Sequence, residues 1–335
     1  MQPDLSTEYL GLTLRSPIVA SASPCTGQPD VLRRLEQCGA GAAVLPSLFE
    51  EQVIRESNSP ETTSAHDTFP HLDTYNSGVS NYVRLVEQAR QAVAMPIIGS
   101  LNGTTPSGWV EQARRITEAG ADALELNLHY VPVDPSTAGE HIEAKYLDVV
   151  TAVAARVQVP LAVKIGPFFS SLPHFARQVV EAGANGLVLF NRFLEPEVNL
   201  EKRAIESHLE LSHSSEARLS LRWLGILRDQ LVCCSLAASS GIHSGMDVLK
   251  ALAVGADVAM VTSAILQHGF EHLQSIQSEM VEWLSTHGYG GVRQLVGSMS
   301  RERCGSPAVF ERANYASTLA SYLDQGVFSP ERNST

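Results

Sequence analysis

Gly120-Ala121-Asp122-Ala123-Leu124-Glu125-Leu126-Asn127 is one of four copies of a single phrase in this 335-residue chain. The others are Gly39-Ala40-Gly41-Ala42-Ala43-Val44-Leu45-Pro46-Ser47, Gly183-Ala184-Asn185-Gly186-Leu187-Val188-Leu189-Phe190-Asn191 and Gly255-Ala256-Asp257-Val258-Ala259-Met260-Val261-Thr262-Ser263. Glycine ends a helix because it accepts the left-handed backbone of the cap, and the apolar run after it is too short for a helix but right for a parallel strand buried on both faces. The copies start 81, 63 and 72 residues apart, which leaves room in each gap for one more strand and helix. Those further strands read as Pro96 to Leu101, Pro160 to Ile165 and Leu231 to Ala237, with Pro17 to Ala22 ahead of the first copy. Helical segments with apolar residues at three-and-four spacing separate them, such as Val31, Leu32 and Leu35, or Phe175, Val179 and Val180. Eight alternating units predict a closed (β/α)8 TIM barrel with long βα loops and a C-terminal helical extension. No glycine-rich dinucleotide fingerprint follows the first strand, which argues against an open doubly wound sheet. The expected division is a barrel over residues 1–288 and a tail over 289–335, whose helix near Phe310 to Tyr322 offers an apolar side to the barrel or to a second copy.

The composition sets bounds. With 44% hydrophobic residues the chain can bury a large single-domain core, and a net charge of −12 argues against nucleic acid or an anionic membrane as partner. Five scattered cysteines, Cys25, Cys38, Cys233, Cys234 and Cys304, have neither zinc-site spacing nor the look of a disulfide framework. A reducing cytoplasm is the expected compartment, and no metal is expected. No run of about 18 apolar residues suggests a membrane span.

Barrel enzymes place their sites at the carboxyl ends of the strands. Two long polar stretches leave that face, residues 48 to 81 and Arg192 to about Ala217, as lids and binding loops do. The strand ends supply Ser21 and Ala22, then Pro46 and Ser47, Asn102, then Asn127, His129 and Tyr130. Lys164, Asn191 with Arg192, Ser239-Ser240-Gly241 and Thr262-Ser263 complete the ring. One lysine stands among neutral hydrogen-bonding groups, a pattern suited to a planar heterocycle with carbonyl and imide edges. The small residues at the last two ends fit a phosphorylated ligand, since barrels bind phosphate there; the alternative is that Ser239 and Ser240 only open a helix. Lys164 ends an apolar strand and needs an anion or acceptor, supplied by a ligand or by Glu125 inside the barrel. His129 is the more natural base by pKa, Tyr130 the weaker, and each could instead be a packed aromatic. His66 and His71 lack metal-ligand spacing and read as solvated.

Seven of these segments, in order, resemble dihydroorotate dehydrogenase. They are Ser16-Pro17-Ile18-Val19-Ala20-Ser21-Ala22, Glu125-Leu126-Asn127-Leu128, Val163-Lys164, Phe190-Asn191, Ser239-Ser240-Gly241-Ile242 and Thr262-Ser263-Ala264, with Tyr75-Asn76-Ser77-Gly78 in the long loop. The similarity spans about residues 5 to 295 and is nearest the class without a membrane-binding leader. It implies FMN at the carboxyl face. The phosphate would lie on Ser240, Gly241, Thr262 and Ser263, the ring system against Ser21, Ala22 and Ser47, and the pyrimidine edge on Asn127, Asn191 and Lys164, with Asn102 also at the cofactor. The resemblance also implies a small-molecule substrate, dihydroorotate or a related dihydropyrimidine, held by Asn76, Asn127 and Asn191. Lys164 would stabilise charge on the flavin as it accepts hydride. Relatives form homodimers.

This chain departs from the family mostly around the substrate. Tyr130 stands where the family has a Cys or Ser base, Pro132 replaces a substrate-binding asparagine, Pro46 replaces a lysine, and Ser240 replaces the first glycine of the phosphate loop. Two rival readings stay open at this point: a Schiff-base aldolase using Lys164 as nucleophile, and a non-catalytic flavin-binding paralogue.

Overall fold

All four glycines of the repeated phrase have positive φ, between 104° and 134° for Gly39, Gly120, Gly183 and Gly255. The alanine after each glycine donates its N–H to the carbonyl five residues back: Ala40 to Leu35, Ala121 to Ile116, Ala184 to Val179 and Ala256 to Ala251. This is the six-to-one closure of a Schellman cap. The next residue in three copies then fastens the neighbouring strand. Asp122, Asn185 and Asp257 donate N–H to the carbonyls of Ile97, Leu161 and Leu236. Their side-chain oxygens accept the N–H groups of the same three residues at 2.8, 2.9 and 2.8 Å. The phrase is therefore a helix stop and a strand lock in one.

The computed structural model describes residues 2–57 and 70–324. His66 lies outside them. The chain opens with an antiparallel hairpin, β1 (Thr7–Tyr9) and β2 (Leu12–Leu14). Then come β3 (Ile18–Ala20), β4 (Ala42–Val44), the short β5 (Leu48–Phe49), β6 (Ile97–Asn102), β7 (Ala123–Asn127), β8 (Leu161–Ile165) and β9 (Gly186–Leu189). A second hairpin, β10 (Glu197–Asn199) with β11 (Ala204–Glu206), precedes β12 (Ser235–Ala238) and β13 (Val258–Val261). Parallel pairing runs β3, β4, β6, β7, β8, β9, β12, β13 and back to β3, so eight strands close the expected barrel. Pro17, Pro96 and Pro160 each stand one residue before a strand, where a missing N–H costs no ladder bond.

Two hydrophobic layers hold the barrel. Outward side chains such as Leu124, Leu126, Val163 and Leu187 pack under the helices. Inward ones, among them Val19, Val44, Ile98, Val188 and Met260, fill the interior together with Tyr9, Leu10 and Leu14 of the first hairpin. That hairpin, which the strand pattern did not announce, plugs the amino-terminal floor. It is pinned by Leu10 N–H to Ser235 Oγ at 2.9 Å and Thr7 Oγ1 to the Asp257 carbonyl at 3.0 Å.

Three expectations need correction. The second strand is broken, because Pro46 cannot donate to the ladder. The fully buried Tyr82 fills the gap, its hydroxyl lying 2.7 Å from the Pro46 carbonyl while it accepts from Ser100 N–H at 3.2 Å. The seventh strand starts at Ser235 rather than Leu231, since Leu231 and Cys234 still bond back into the turn after the helix Ala217–Leu227. The polar stretch from Arg192 is not all loop, as β10 and β11 rise from it. In the tail, Gly297 N–H, Met299 N–H and Arg301 N–H bond to Leu252, Ala253 and Gly225, tying this stretch to the barrel's helices. The helix Arg312–Asp324 leaves Tyr315 and Leu319 exposed.

Candidate active site

Because all eight strands are parallel, their carboxyl ends share one mouth, and period-two alternation turns Ser100, Asn102, Glu125, Asn127 and Lys164 inward with Ile98, Ala123 and Ala162. Register sets Asn102 beside Asn127, and Asn127 beside Lys164. Asn127 Nδ2 lies 3.2 Å from Ser47 Oγ, 3.0 Å from Ser100 Oγ and 3.3 Å from the Leu101 carbonyl, while the two serine hydroxyls are 2.8 Å apart. Asn191 Nδ2 reaches the carbonyls of Leu128 at 3.1 Å and Lys164 at 3.2 Å, so it ties two strand ends together.

Half-buried Lys164 forms no ion pair among the described residues, and the internal salt bridge to Glu125 is not made. Glu125 is 0% exposed and neither of its oxygens finds a hydrogen-bond partner. Burial pushes its carboxyl up from the ordinary carboxylate range, against the smaller opposing pull of the Lys164 charge.

Asn76 arrives at the same wall but spends its amide on the protein. Nδ2 donates to the Ser47 carbonyl and Gln52 Oε1, both at 2.7 Å, and Oδ1 accepts from Gln52 Nε2 and Gly78 N–H at 3.1 Å. It is 1% exposed. Asn76 so braces the wall behind Ser47, close to where the resemblance places substrate.

On the opposite side, His129 lies over Phe193 with ring centroids 4.3 Å apart, and burial pushes its imidazole pKa below the ordinary 6.5. Tyr130 follows. Lys145 Nζ sits 5.2 Å from the centre of its ring, and the Tyr130 carbonyl accepts from Tyr146 OH at 3.4 Å. Arg192 is held by Glu216 at 3.0 Å, beside a cavity of about 540 Å³ that reaches Asn191 and Ser239.

The ends of β12 and β13 form a corner of hydroxyls. Ser240 and Gly241 are consecutive residues with φ near +70°, and Thr262 Oγ1 is buried without a partner. Ser239 and Ser240 do not open a helix, because Ser244 is the N-cap of Gly245–Val254 and accepts from Asp247 N–H at 3.2 Å. Ser212, which sequence reasoning passed over, closes the corner. Its Oγ accepts from Gly241 N–H at 3.3 Å, donates to Ser263 Oγ at 2.9 Å and lies 3.3 Å from His243 Nε2. A second omission is Glu50, 5% exposed, whose carboxylate takes Thr104 N–H at 2.7 Å and Thr105 N–H at 3.2 Å and so joins two mouth loops.

The sequence matches the family described as dihydroorotate dehydrogenase over residues 4–284. The chain belongs to the dihydroorotate dehydrogenase family. Similar proteins include one of Aeropyrum pernix provisionally named dihydroorotate dehydrogenase A (fumarate), 27% identical over 90% of this chain and 99% of that protein. The catalytic subunit of dihydroorotate dehydrogenase B (NAD(+)) of Methanocaldococcus jannaschii is 24% identical, over 84% of this chain and 93% of its own length. NAD-dependent dihydropyrimidine dehydrogenase subunit PreA of Escherichia coli is 23% identical, over 88% of this chain and 76% of its own. Dihydroorotate dehydrogenases are flavin-dependent oxidoreductases acting on CH–CH bonds, and this chain is an enzyme of that kind. The Schiff-base role for Lys164 falls with that assignment.

A flavin suits the residues present. Among the described residues the Thr262 hydroxyl has no partner and Lys164, between two amides, no ion pair; Thr262, Gly241 N–H, Ser212 and Ser263 make a donor set for phosphate. Among the described residues no helix is long and apolar enough to cross a membrane, and no cluster of side chains could hold a metal ion.

Proposed function

We propose that this enzyme binds FMN and oxidises a dihydropyrimidine, dihydroorotate or a close relative, at the mouth of the barrel. The observation that carries the reading is Lys164, an ammonium without an ion-pair partner among the described residues, set in register beside Asn127 and bonded through its carbonyl to Asn191. Bound FMN supplies a hydride acceptor. A dihydropyrimidine gives hydride from one ring carbon and a proton from its neighbour, and a carbon–carbon double bond forms between them. An acceptor from outside the chain would take up the two electrons.

The side chains divide the rest. Gly241 N–H and the hydroxyls of Thr262, Ser263, Ser212 and Ser240 hold the phosphate. Ser21, Ala22, Ser47 and Asn102 border the ring system. Lys164 offers fixed positive charge where negative charge develops, a contribution made without reorganisation at the moment of reaction. Asn127 and Asn191, already anchored, present oriented amides. The leaving proton goes to His129 or Tyr130, and His129 is suited to it because burial keeps the imidazole neutral near pH 7.

The names of the relatives in Methanocaldococcus jannaschii and Escherichia coli support the dihydropyrimidine class, and membership of the family supports the flavin chemistry. The test is reconstitution with FMN followed by anaerobic addition of dihydroorotate and of dihydrouracil. A visible flavin band that bleaches with either compound upholds the reading, and no retained flavin overturns it.

A further inference from the structure

Behind Tyr130 lies a second chamber, of about 340 Å³. The loops after β7 and β8 make its sides and the helix Gly139–Ala154 its back. Leu128, next to Asn127, and Gly166, two residues beyond Lys164, line it, so the chamber adjoins the groups assigned to the reaction. Its size falls at the small end of ligand pockets, which run from about 300 to 1,000 Å³.

The walls are fixed by packing. Phe169 stacks on Phe175 at 4.1 Å, and Tyr146 stands edge-on to Phe169 at 6.3 Å. Phe193 fills the space that a side chain at position 166 would need, 2.8 Å from an ideal Cβ. Phe168 meets Phe193 edge to face at 5.3 Å and separates this chamber from the larger cavity beside Arg192.

The chemistry inside is apolar. Tyr146 spends its hydroxyl on the Tyr130 carbonyl, and burial pushes its phenol up to about 12. Glu143 is the ionisable residue on the lining besides the tyrosines, and Lys145 stands over the Tyr130 ring. A carboxylate entering here would meet Glu143 with no arginine to receive it. The rim is apolar too, with Val131 57% and Phe168 76% exposed. Proximity to the base, a fixed aromatic lining and this charge pattern belong together.

We propose that this chamber binds an uncharged aromatic or alkyl arm of the compound oxidised at the flavin site. The proposal rests on the flavin reading for the word "oxidised", but the chamber itself is testable without it. It makes the preferred substrate a ring larger and less polar than dihydroorotate.

Gly139 provides the test. It lines the chamber, and an ideal Cβ there would meet nothing within 4 Å, so Gly139→Leu projects into open space and spares its neighbours. Naphthalene, followed by ligand-observed NMR on the full chain, should bind the wild type, and Gly139→Leu should weaken it at least about tenfold. Naphthoate should bind at least about tenfold more weakly than naphthalene. In the FMN-loaded enzyme, a phenyl-substituted dihydrouracil should show a KM at least about tenfold below that of dihydroorotate, and Gly139→Leu should erase the difference with kcat little changed. Equal naphthalene binding by the two proteins, none by either, naphthoate binding as tight as naphthalene, or a KM advantage that is absent or survives Gly139→Leu overturns the proposal. Failure to retain FMN strikes the proposed function instead, and the naphthalene comparison still reads the chamber.

Discussion

The two sides of the mouth are built from different materials. At the ends of β12 and β13 the recognising groups are main-chain N–H and short hydroxyls, positioned by backbone conformation at Ser240 and Gly241. Across the barrel, after β7 and β8, the surface is side chain: His129 on Phe193, Tyr130 under Lys145, Phe169 on Phe175. Backbone geometry is set by the fold and tolerates few residues, whereas side chains exchange freely once the scaffold is firm. The contrast accounts for why Tyr130 and Pro132 depart from the family's pattern among the side chains across the mouth, while at the phosphate corner Ser240 replaces a glycine yet keeps a glycine-like φ of +71°.

Lys164→Ala is the strongest attack on this picture, because the cofactor side would lose its charge while keeping its phosphate corner. Flavin reduction should fall about 100- to 1,000-fold with the circular dichroism spectrum and FMN content unchanged, and stopped-flow absorbance checks it. A residual rate near that of the wild type would remove Lys164 from the chemistry.

Next comes the base. His129→Ala and Tyr130→Phe should be compared, and the variant lacking the proton acceptor should slow reduction about 100-fold or more. If His129 serves, kcat/KM falls as pH drops through the imidazole pKa, because protonation removes the base. Burial sets that acid limb below pH 6.5. An acid limb that persists unchanged in His129→Ala would assign the titration to another group.

The phosphate corner gives a smaller effect. Thr262→Val removes the one hydroxyl there that is buried without a partner, and FMN affinity should fall about tenfold by fluorescence titration. Ser240→Gly gives the smallest change and the opposite sign. Ser240 holds φ at +71°, a conformation that costs a non-glycine residue about 1 kcal/mol, so the glycine variant should melt on the order of 2 °C higher.

The barrel was legible because its signals are local. A glycine that stops a helix, a following apolar run and a proline before a strand are each read within ten residues, and Gly120 to Asn127 displays the first two. Strand ends then gave the mouth, so Asn127, Lys164, Asn191 and Thr262 could be placed by counting. What sequence withheld depends on distant partners. Thr7–Tyr9 and Leu12–Leu14 are too short to show a period, and their role as a floor needs the closed barrel above them. Ser212 lies in a polar stretch without pattern and acquires meaning only through Ser263, 51 residues away. Asn76 matches a motif, yet its type does not say where its amide goes. Glu50 left a faint trace, an acid directly after an apolar pair, to be matched with the hydroxyl run Thr104-Thr105-Pro106-Ser107. The chamber behind Tyr130 left none, since an empty volume belongs to no residue.

The strand locks at Asp122, Asn185 and Asp257 all sit at the amino-terminal rim, far from the mouth. Stiffness is thus concentrated at one end of the cylinder and chemistry at the other. Mutations that trade one substrate for another can accumulate around Tyr130 without loosening the rim that keeps the cylinder closed. Such a division would let the proposed cofactor site serve more than one substrate.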